Sequence, residues 1–446
     1  DDGNTYGRGP EFSSTSGAGY PNNVIIQDNT TLNLGANGAG TQRQIAGDLE
    51  VKANSTLSMN ENGEEMTAAL TVLGNFTNEG TTVLSSSSGG DLKLQGDFDD
   101  NGTFNANGRA VFFEGGNTQN ISSATDPLKI DVMRINKSGG EVVMNQNLLL
   151  DQTNDPLQLQ SSDSYLNLSS SNLTIGSDGT TSSITYSGGA FRGTTNSSMT
   201  IEGDGTLDGG LVFDSGSNDL ANLTISRNNG LVTLNSALNV ANDITIEQGT
   251  FELSAANNLD GNLVLNGGSF SSGASTGKSE TLNTLDVNST NSSIDLGTGS
   301  HTLTFANSSS VSWTAGTILT INNWSGDAGT SGSGTAGTIN VGSGGLSSSQ
   351  LDQIQFSGGY PSGAVLTSFG EVVPKFEEIP STNALGLSFD NVDVTTFDIN
   401  WTNGNGSNRI VVLRESNAVD FVPTNGTDYT ANADFSAGTG VGPSSD

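Results

Sequence analysis

The chain has 446 residues and a formal net charge of −33, from 14 lysines and arginines against 47 aspartates and glutamates. So few basic residues exclude a surface that neutralises a run of nucleic-acid phosphates or binds an anionic membrane by charge. No apolar run approaches the roughly 20 residues that a membrane-spanning helix needs.

Cysteine is absent, and histidine occurs once, at His301. This excludes disulfides, thiolate nucleophiles, zinc ribbons and iron–sulfur ligation, and it removes most histidine-based chemistry. A chain of this length without disulfides has to be stabilised by packing alone. Apolar residues make up 32% of the sequence and alternate regularly with polar ones, which disfavours disorder.

Residues 1–20 are polar at their start and lack the apolar core of a signal peptide, so we interpret them as an N-terminal extension or cap. From residue 21 onward, short apolar-polar alternations are separated by Gly, Asn, Asp or Ser, which predicts short β-strands. Helix is predicted at residues 61–70 and at residues 347–354, where serines precede the first turn. The predicted strands include 24–26, 49–51, 92–94, 157–159, 166–168, 173–175, 223–225, 244–246, 263–265 and 303–305.

Repeats favour a solenoid over a sandwich. A glycine followed by Asp or Asn and an apolar residue recurs at Gly47, Gly74 and Gly96, at intervals of 27 and 22 residues. A second phrase, residues 133–145, returns 90 residues later at 223–235. Such intervals are typical of one turn of a β-solenoid, which buries its apolar side only by stacking on its neighbours. The sequence therefore predicts an all-β fold, with a right-handed parallel β-helix over residues 21–300.

Several phrases of this repeat region resemble solenoid regions of large cell-surface proteins from Bacteroidetes-type bacteria, substrates of the type IX secretion system. The resemblance covers residues 74–150. Its phrases are Gly-Asn-Phe-Thr-Asn-Glu-Gly-Thr from Gly74, Val-Phe-Phe-Glu-Gly from Val111, Thr-Gln-Asn-Ile from Thr118, and Ile-Asn-Lys-Ser-Gly-Gly from Ile135.

Residues 301–375 resemble the closing section at the C-terminal end of many bacterial surface β-solenoids, and residues 376–383 are interpreted as a linker. This match keeps its order and spacing over about 60 residues. It rests on Trp-Thr-Ala-Gly-Thr-Ile-Leu from Trp313, Asn-Trp-Ser-Gly from Asn323, Gln-Leu-Asp-Gln-Ile-Gln-Phe from Gln350, and Gly-Glu-Val-Val-Pro from Gly370.

Residues 384–446 resemble the beginning of a fibronectin-III-like β-sandwich, on the strength of residues 397–406, 409–413 and 428–432. The resemblance implies that Trp401 is the core tryptophan of an early strand and that the next strand lies at 410–412. A complete sandwich of this type has about 100 residues, so we expect an incomplete module and a longer gene product.

Together these resemblances imply an exported, modular protein at the extracellular or outer cell surface, and they imply no reaction. The expected partners are the secretion machinery and other cell-surface components, with glycans or other surfaces as further candidates. Nucleic acid and membrane insertion are not expected.

One metal site is a candidate. Asp97, Asp99 and Asn101 stand in the D-x-[DN]-x-[DN]-G pattern that begins an oxygen-ligand calcium loop. The twelfth position is Gly108 instead of the bidentate Glu, and the related phrase at residues 74–80 lacks the aspartates. A solvated corner of the solenoid is the alternative, and no other cofactor is predicted.

Three further features have plain structural interpretations. Residues 332–337 match GxGxxG, but no helix follows to bind a phosphate, so we interpret them as a flexible insertion. His301 has no Cys or His companion and is predicted to be a surface residue of a strand. Trp313 and Trp324 are predicted to cover the apolar end of the last turn, with a sugar-stacking platform as the alternative.

The sequence predicts neither catalysis nor an ice-binding face. Polysaccharide-cleaving β-helices use clustered carboxylates, and residues 97–100 and 64–65 supply such groups. These acids fall at turns beside Gly and Asn, with few basic residues nearby to bind uronates, so no catalysis is predicted. An ice-binding face needs ranked threonines in successive turns, and the sequence shows only isolated cases such as Thr302 and Thr304.

The sequence therefore predicts a non-enzymatic structural or adhesive segment of a large secreted bacterial surface protein. A rigid solenoid would project or space adhesive modules, and its negative charge would keep like molecules apart. One alternative is a carbohydrate-binding or polysaccharide-degrading β-helix. Another is the subunit of an extracellular filament that assembles end to end through unpaired strand edges.

Overall fold

The chain forms two compact units, Asp1–Pro374 and Lys375–Asp446, and the first is a parallel β-solenoid of about 13 turns. A run of apolar strand residues stacked from turn to turn creates this architecture, as the predicted alternation requires. The computed structural model describes residues 5–7, 12, 14–36, 40–61, 63–254, 259–273, 278–332, 337–360, 362–376, 381–406, 409–414, 416–422, 429–430, 432 and 434.

Short strands separated by corners build the first turns, and most pair in parallel with the equivalent strand of the next turn. These strands are β1 Thr5–Gly7, β2 Val24–Ile26, β3 Thr31–Asn33, β4 Arg43–Ile45, β5 Leu49–Val51, β6 Thr56–Ser58, β7 Asn60–Glu61, β8 Glu64–Glu65, β9 Leu70–Val72, β10 Phe76–Asn78, β11 Thr81–Val83, β12 Leu92–Leu94, β13 Phe98–Asp100, β14 Thr103–Asn105, β15 Ala110–Gly115 and β16 Gln119–Ser123.

The strands lengthen in the middle of the solenoid, where two of them bend around a corner. These strands are β17 Leu128–Ile130, β18 Val132–Lys137, β19 Val142–Met144, β20 Leu148–Leu150, β21 Asn154–Leu159, β22 Tyr165–Asn167, β23 Asn172–Ile175, β24 Ser182–Tyr186, β25 Ala190–Gly193, β26 Ser198–Asp204, β27 Phe213–Leu220, β28 Asn222–Leu234, β29 Asn239–Val240, β30 Asp243–Leu253, β31 Asn262–Leu265 and β32 Ser269–Ser271.

The remaining elements complete the solenoid and add a hairpin in the second unit. They are β33 Ser279–Leu282, β34 Leu285–Val287, β35 Ser293–Asp295, β36 Thr302–Phe305, β37 Leu319–Asn322, β38 Thr338–Asn340, the helix α1 Ser348–Asp352, β39 Ile354–Phe356, β40 Ala364–Leu366, β41 Val372–Pro374, β42 Leu385–Asp390 and β43 Asp398–Thr402.

Three faces run along the solenoid. The first face begins with β4, β9, β12, β15, β18, β21 and β24; the second consists of β2, β5, β10, β13, β16, β19, β22, β25, β27 and β29, followed by β33, β36 and β38. The third face begins with β1, β3, β6, β11 and β14 and continues with β17, β20, β23 and β26. The starts of β28 and β30 belong to the third face, which continues with β31 and β34. The ends of β28 and β30 belong to the first face, which continues with β32, β35, β37 and β39.

The core is a continuous stack of apolar side chains from Phe12 to Val373. Phe98 illustrates how it forms: its backbone pairs with Phe76 in the preceding turn and Ile121 in the next, and all three side chains are buried. The ring centres of Phe76 and Phe98 lie 5.3 Å apart. Each fully buried side chain of this size contributes about 2–3 kcal/mol.

The predicted turn length is confirmed where the glycine phrases occur, since the residues that follow Gly47, Gly74 and Gly96 align in register on the second face. The 90-residue repeat has a different meaning. Residues 133–145 bend from the first face to the second, whereas 223–235 bend from the third face to the first. The shared phrase therefore specifies a local structure, a strand followed by a corner and a second strand. It does not specify which faces of the solenoid those strands occupy.

One predicted helix is confirmed and the other is wrong. Ser347 caps α1, and the side chain of Gln350 completes a capping box. Residues 61–70 instead contain the end of an antiparallel hairpin, β7–β8, and the start of β9. Met59 and Met66 flank the hairpin and are fully buried, so core packing outweighs the helix propensity of the glutamates between them.

The closing section covers the last open strand edge of the third face. The indole nitrogen of Trp313 donates to the carbonyl of Leu285 in β34 at 2.9 Å, and the hydroxyl of Ser308 accepts the Leu285 N–H at 2.9 Å. In turn, the side-chain amide of Gln350 donates to the carbonyls of Ser308 and Val311. These bonds satisfy the groups that another turn would otherwise pair with.

The tryptophans of this section are buried as predicted, with Trp313 8% and Trp324 5% exposed. Trp324 packs edge-on against Phe356 and Tyr360, with ring centres 5.4 and 5.0 Å away. Neither indole offers a free face on which a sugar could stack. The alternative of a stacking platform is therefore not supported.

The fibronectin-III-like sandwich is not seen among the described residues of the second unit. Strands β42 and β43 form an antiparallel hairpin, but residues 410–412 form no strand. Trp401 is 38% exposed and its indole nitrogen donates to Asn403, so it is not a core residue here. The reason is geometric, because a two-stranded sheet buries a tryptophan only when a second layer faces it.

Truncating a stacked phenylalanine should loosen two neighbouring turns at once. We expect Phe98→Ala to lower the free energy of unfolding by about 3–5 kcal/mol, measured by urea denaturation. Phe112→Ala is the matched control, because Phe112 lies on the outside of the adjacent β15 under Lys93 and should cost about 1 kcal/mol or less. Equal losses would contradict the assignment of the core.

Candidate functional site

The calcium candidate lies in a ladder of Asn and Asp side chains between the first and second faces. The Asp97 carboxylate accepts the backbone N–H of Asn120 at 2.7 Å, while the Asp97 N–H donates to the side chain of Asn75 at 2.9 Å. The same bond links Asn75 to Asp48 and Asp48 to Asn23. Asp97 is thus one step in a chain of bonds that joins five successive turns.

A glycine precedes three of the five ladder residues, Asp48, Asn75 and Asp97, and close stacking explains it. A Cβ on Gly74 would lie 2.6 Å from the Gly47 carbonyl carbon, and one on Gly96 would lie 2.5 Å from that of Gly74. The recurring phrase therefore has three parts: a glycine that permits contact, an Asp or Asn that bonds to the next turn, and an apolar residue in the core. This explains the repeat without a ligand.

The other two candidate ligands also have partners within the protein. Asp99 accepts the hydroxyl of Ser122 at 2.8 Å and the side-chain amide of Asn101 at 3.0 Å. Among the described residues, no group of three His, Asp or Glu side chains is arranged to hold a metal ion. Calcium binding at Asp97, Asp99 and Asn101 stays a prediction, with a structural use of both aspartates as the competing explanation.

The neighbouring acid Asp100 points inward, away from any solvent-exposed site. It is 2% exposed and accepts the side-chain amide of the buried Asn78 at 2.6 Å. Burial raises the pKa of Asp100, and the hydrogen bond from Asn78 opposes that rise. Asp97, Asp99 and Asp100 therefore do not converge on one exposed point, as a pair of catalytic carboxylates would.

The prediction that His301 lies on the surface is wrong, since it is only 2% exposed. It precedes Leu303 and Phe305 at two-residue spacing, and all three point inward. Its Nδ1 accepts the backbone N–H of Lys278 at 3.3 Å. Burial lowers the pKa of His301, and the charge of Lys278 lowers it further. The alternation along β36 was a sufficient signal for this placement.

Lys137 and Arg227 are two of the buried cations among the described residues, and sequence reasoning missed that they bind the corners of the preceding turn. Lys137 Nζ donates to the carbonyl of Asn117 at 2.5 Å and to Gln119 Oε1 at 2.6 Å. Arg227 donates to the carbonyls of Gly205 and Asp204 at 2.7 and 2.6 Å. They occupy equivalent places in the 90-residue repeat, so that phrase contained the signal.

The GxGxxG segment is partly outside the described residues, which include Gly332 and Gly337 but not 333–336. Gly332 donates its N–H to the carboxylate of Glu371 at 2.9 Å. A carboxylate in this position opposes the binding of a phosphate. The structure therefore gives no support to a phosphate-binding loop.

A shallow hollow of about 300 Å³ on the second face is lined by Thr118, Gly139, Gly140, Glu141, Asp163, Tyr165 and Arg192. Arg192 lies 3.6 Å above the ring centre of Tyr165 and forms ion pairs with Glu141 at 3.1 Å and Asp214 at 2.9 Å. These contacts tie successive turns together. They also occupy the guanidinium and one face of the ring, which leaves Asp163 as the freer polar group at the rim.

No family model, no curated protein and no solved structure matches this chain. Within the described residues, no helix has the length and apolar character needed to cross a membrane. The assignment of a function therefore rests on the geometry of the solenoid itself.

Two substitutions of Asp97 distinguish the ladder from a calcium site. Asp97→Asn keeps an acceptor for the Asn120 N–H and should leave the unfolding free energy nearly unchanged. Asp97→Ala removes that acceptor and should cost about 1 kcal/mol. Both results should be the same with calcium and with EDTA, as measured by thermal denaturation. A calcium-dependent loss in Asp97→Asn would instead establish the metal site.

Lys137 should make the fold more stable as the pH rises. Burial lowers the pKa of Lys137 to about 8, whereas an unfolded lysine titrates near its ordinary value of about 10.4. Between these values the unfolded chain binds more protons, so deprotonation favours the folded state. The free energy of unfolding of the wild type, minus that of Lys137→Met, should increase by about 2 kcal/mol between pH 7 and pH 10.

Urea denaturation at several pH values would measure this difference. Lys129→Met, at an exposed lysine of the same region, controls for the loss of a positive charge. A difference that stays constant, or falls with pH, would contradict the burial of a titrating amine at the corner.

Proposed function

We propose that this chain is a non-enzymatic, rigid structural element of a secreted bacterial cell-surface protein, which spaces or projects adhesive parts. The observation that carries the proposal is the unbroken apolar stack from Phe12 to Val373 within paired turns. About 13 turns at about 4.8 Å each give the solenoid a length of about 60 Å. A continuous core suits the transmission of force or the holding of a distance.

The closure of the last turn supports the same role. Trp313 and Ser308 bind the edge of β34, and an antiparallel bridge from Asn340 to Glu371 borders β38. A protein that grew filaments by adding turns to this end would need those groups free. The filament alternative is thus less well supported than a discrete spacer.

The acidic residues support a structural role more than catalysis. Asp97 and Asp99 bond to the next turn, Asp100 is buried, and Asn33 donates to Glu64 at 3.0 Å. Glu65 accepts the hydroxyl of Ser87, which lowers the pKa of Glu65. Each of these five candidate carboxylates has a hydrogen-bond partner within the protein, which supports the proposal of a structural role.

The setting at the outer cell surface, and export through a type IX pathway, belong to the proposal through the resemblance of residues 74–150 and 301–375. The absence of cysteine and the net charge of −33 are compatible with an exposed, soluble surface. The proposed partners are the secretion machinery and neighbouring surface components. We further propose that residues 384–446 belong to a fibronectin-III-like module, on the resemblance of residues 397–406, 409–413 and 428–432.

Distance measurements between spin labels test the rigidity of the solenoid. The chain has no cysteine, so Lys129→Cys together with Gln355→Cys gives two unique labelling sites, both exposed. We expect one narrow distance distribution that does not change between low and high salt, because a continuous core and not surface charge sets the distance. A broad or divided distribution would contradict a rigid spacer.

The non-enzymatic part needs a separate assay. We expect no release of reducing ends when the full chain is incubated with a panel of neutral and acidic polysaccharides. Turnover that disappears on substitution of a carboxylate pair, such as Glu64→Gln with Glu65→Gln, would overturn the proposal. A narrow distance distribution in the spin-labelled protein, assayed in parallel, shows that the incubated protein is folded.

A further inference from the structure

The third face displays a regular grid of hydroxyl and amide groups that the sequence does not reveal. Along β23, β26, β28 and β30, the first two outward positions of each strand form two columns. The members of this grid are Asn172 and Thr174, Ser198 and Thr200, Asn222 and Thr224, and Asp243 and Thr245.

Strand register makes the grid regular in both directions. Thr174 pairs with Thr200, Thr200 with Thr224, and Thr224 with Thr245, with no shift of register between them. Neighbouring turns place equivalent groups about 4.8 Å apart, and the two columns lie about 6.7 Å apart along each strand. The turns differ in length, which is why these threonines show no fixed spacing in the sequence.

The threonine hydroxyls of the grid are largely uncommitted. Within the described part of the chain, those of Thr200, Thr224 and Thr245 make no hydrogen bond to another side chain or to the backbone, and Thr174 accepts only a 3.4 Å contact from Asn172. Each side chain is half-buried between its column neighbours, which fixes its position. The face thus offers ordered methyl and hydroxyl groups with free hydrogen-bonding capacity.

A further single column of threonines, separate from the grid, occupies the start of this face. Thr5, Thr31, Thr56, Thr81 and Thr103 stand in register over five successive strands. In the described part of the chain, their hydroxyls also make no hydrogen bond within the protein. The arrangement therefore occurs in two separate stretches of one face.

The chemistry of the grid selects its ligand. Asp243 is the one charged residue in the two columns, and Glu202 is the next outward residue along β26. Neither charge repeats from turn to turn along its column, so the columns offer an extended ionic ligand no matching row of charges. No aromatic side chain stands in either column, so sugars and bases find no surface on which to stack. What remains is a ligand that itself repeats in two dimensions and hydrogen-bonds at these spacings. Water molecules on the surface of ice repeat at comparable distances.

We propose that the third face binds ice, through the grid at residues 172–245. Ordered water bridging the hydroxyls and amides would match the lattice at the interface, while the threonine methyls fill the gaps between water molecules. This activity is independent of the proposed spacer role. A rigid cell-surface protein could use such a face to attach to an ice surface.

Ice-affinity partition of the full chain and inhibition of ice recrystallisation test the proposal. The wild type should concentrate in a growing ice phase and keep ice grains small. Thr224→Lys places a long charged side chain in the centre of the grid and should abolish both effects. Thr77→Lys is the matched control, a half-buried threonine on the second face between Glu50 and Asp99, and should keep both.

Three results would overturn the proposal: a wild type excluded from ice, equal losses in Thr224→Lys and Thr77→Lys, or adsorption to microcrystalline cellulose or chitin in place of ice. Circular dichroism melting of each variant establishes that it is folded. Thr245→Lys, at the edge of the same column, provides a second test if Thr224→Lys does not fold, and its loss of ice binding would support the grid.

Discussion

Parallel pairing in register is the constraint on which the rest of this structure depends. Within the paired strands of the solenoid, a residue lies about 4.8 Å from the equivalent residue of the next turn. Each side chain therefore has to be compatible with the side chains stacked above and below it. Phenylalanine and leucine columns make the core, glycine columns such as Gly47, Gly74 and Gly96 allow contact, and Asn and Asp form ladders. Columns of like charge would repel at this distance, which is consistent with a charged fraction of only 14%.

Corners impose a second requirement, because the chain leaves its ladder there and backbone carbonyls lose their strand partners. Lys137 and Arg227 meet this need from inside the solenoid by donating to carbonyls of the preceding turn. Burying these cations has a cost, visible in the lowered pKa of both, with burial as the main cause. Each cation thereby ties its strand to the corner of the preceding turn.

Much of the fold could be predicted from the sequence because alternation and turn length are local properties. The parallel β-solenoid, the helix at α1 and the burial of Trp313 and Trp324 all followed from short stretches. The grid of Thr174 to Thr245 could not be predicted, since it depends on which residues of unequal turns align. The burial of Trp401 could not be predicted for a related reason: it requires a second layer of strands, which the sequence of its own strand does not specify.

The closing section at residues 301–375 ends the solenoid without reference to how many turns precede it. Its bonds to Leu285 and to β38 involve only the last turns. Duplication or loss of a whole turn further upstream would therefore leave both ends intact and change the length by a fixed step. A gene for such a solenoid can therefore change the length of the solenoid by tandem rearrangement of whole turns without altering the residues of the closing section.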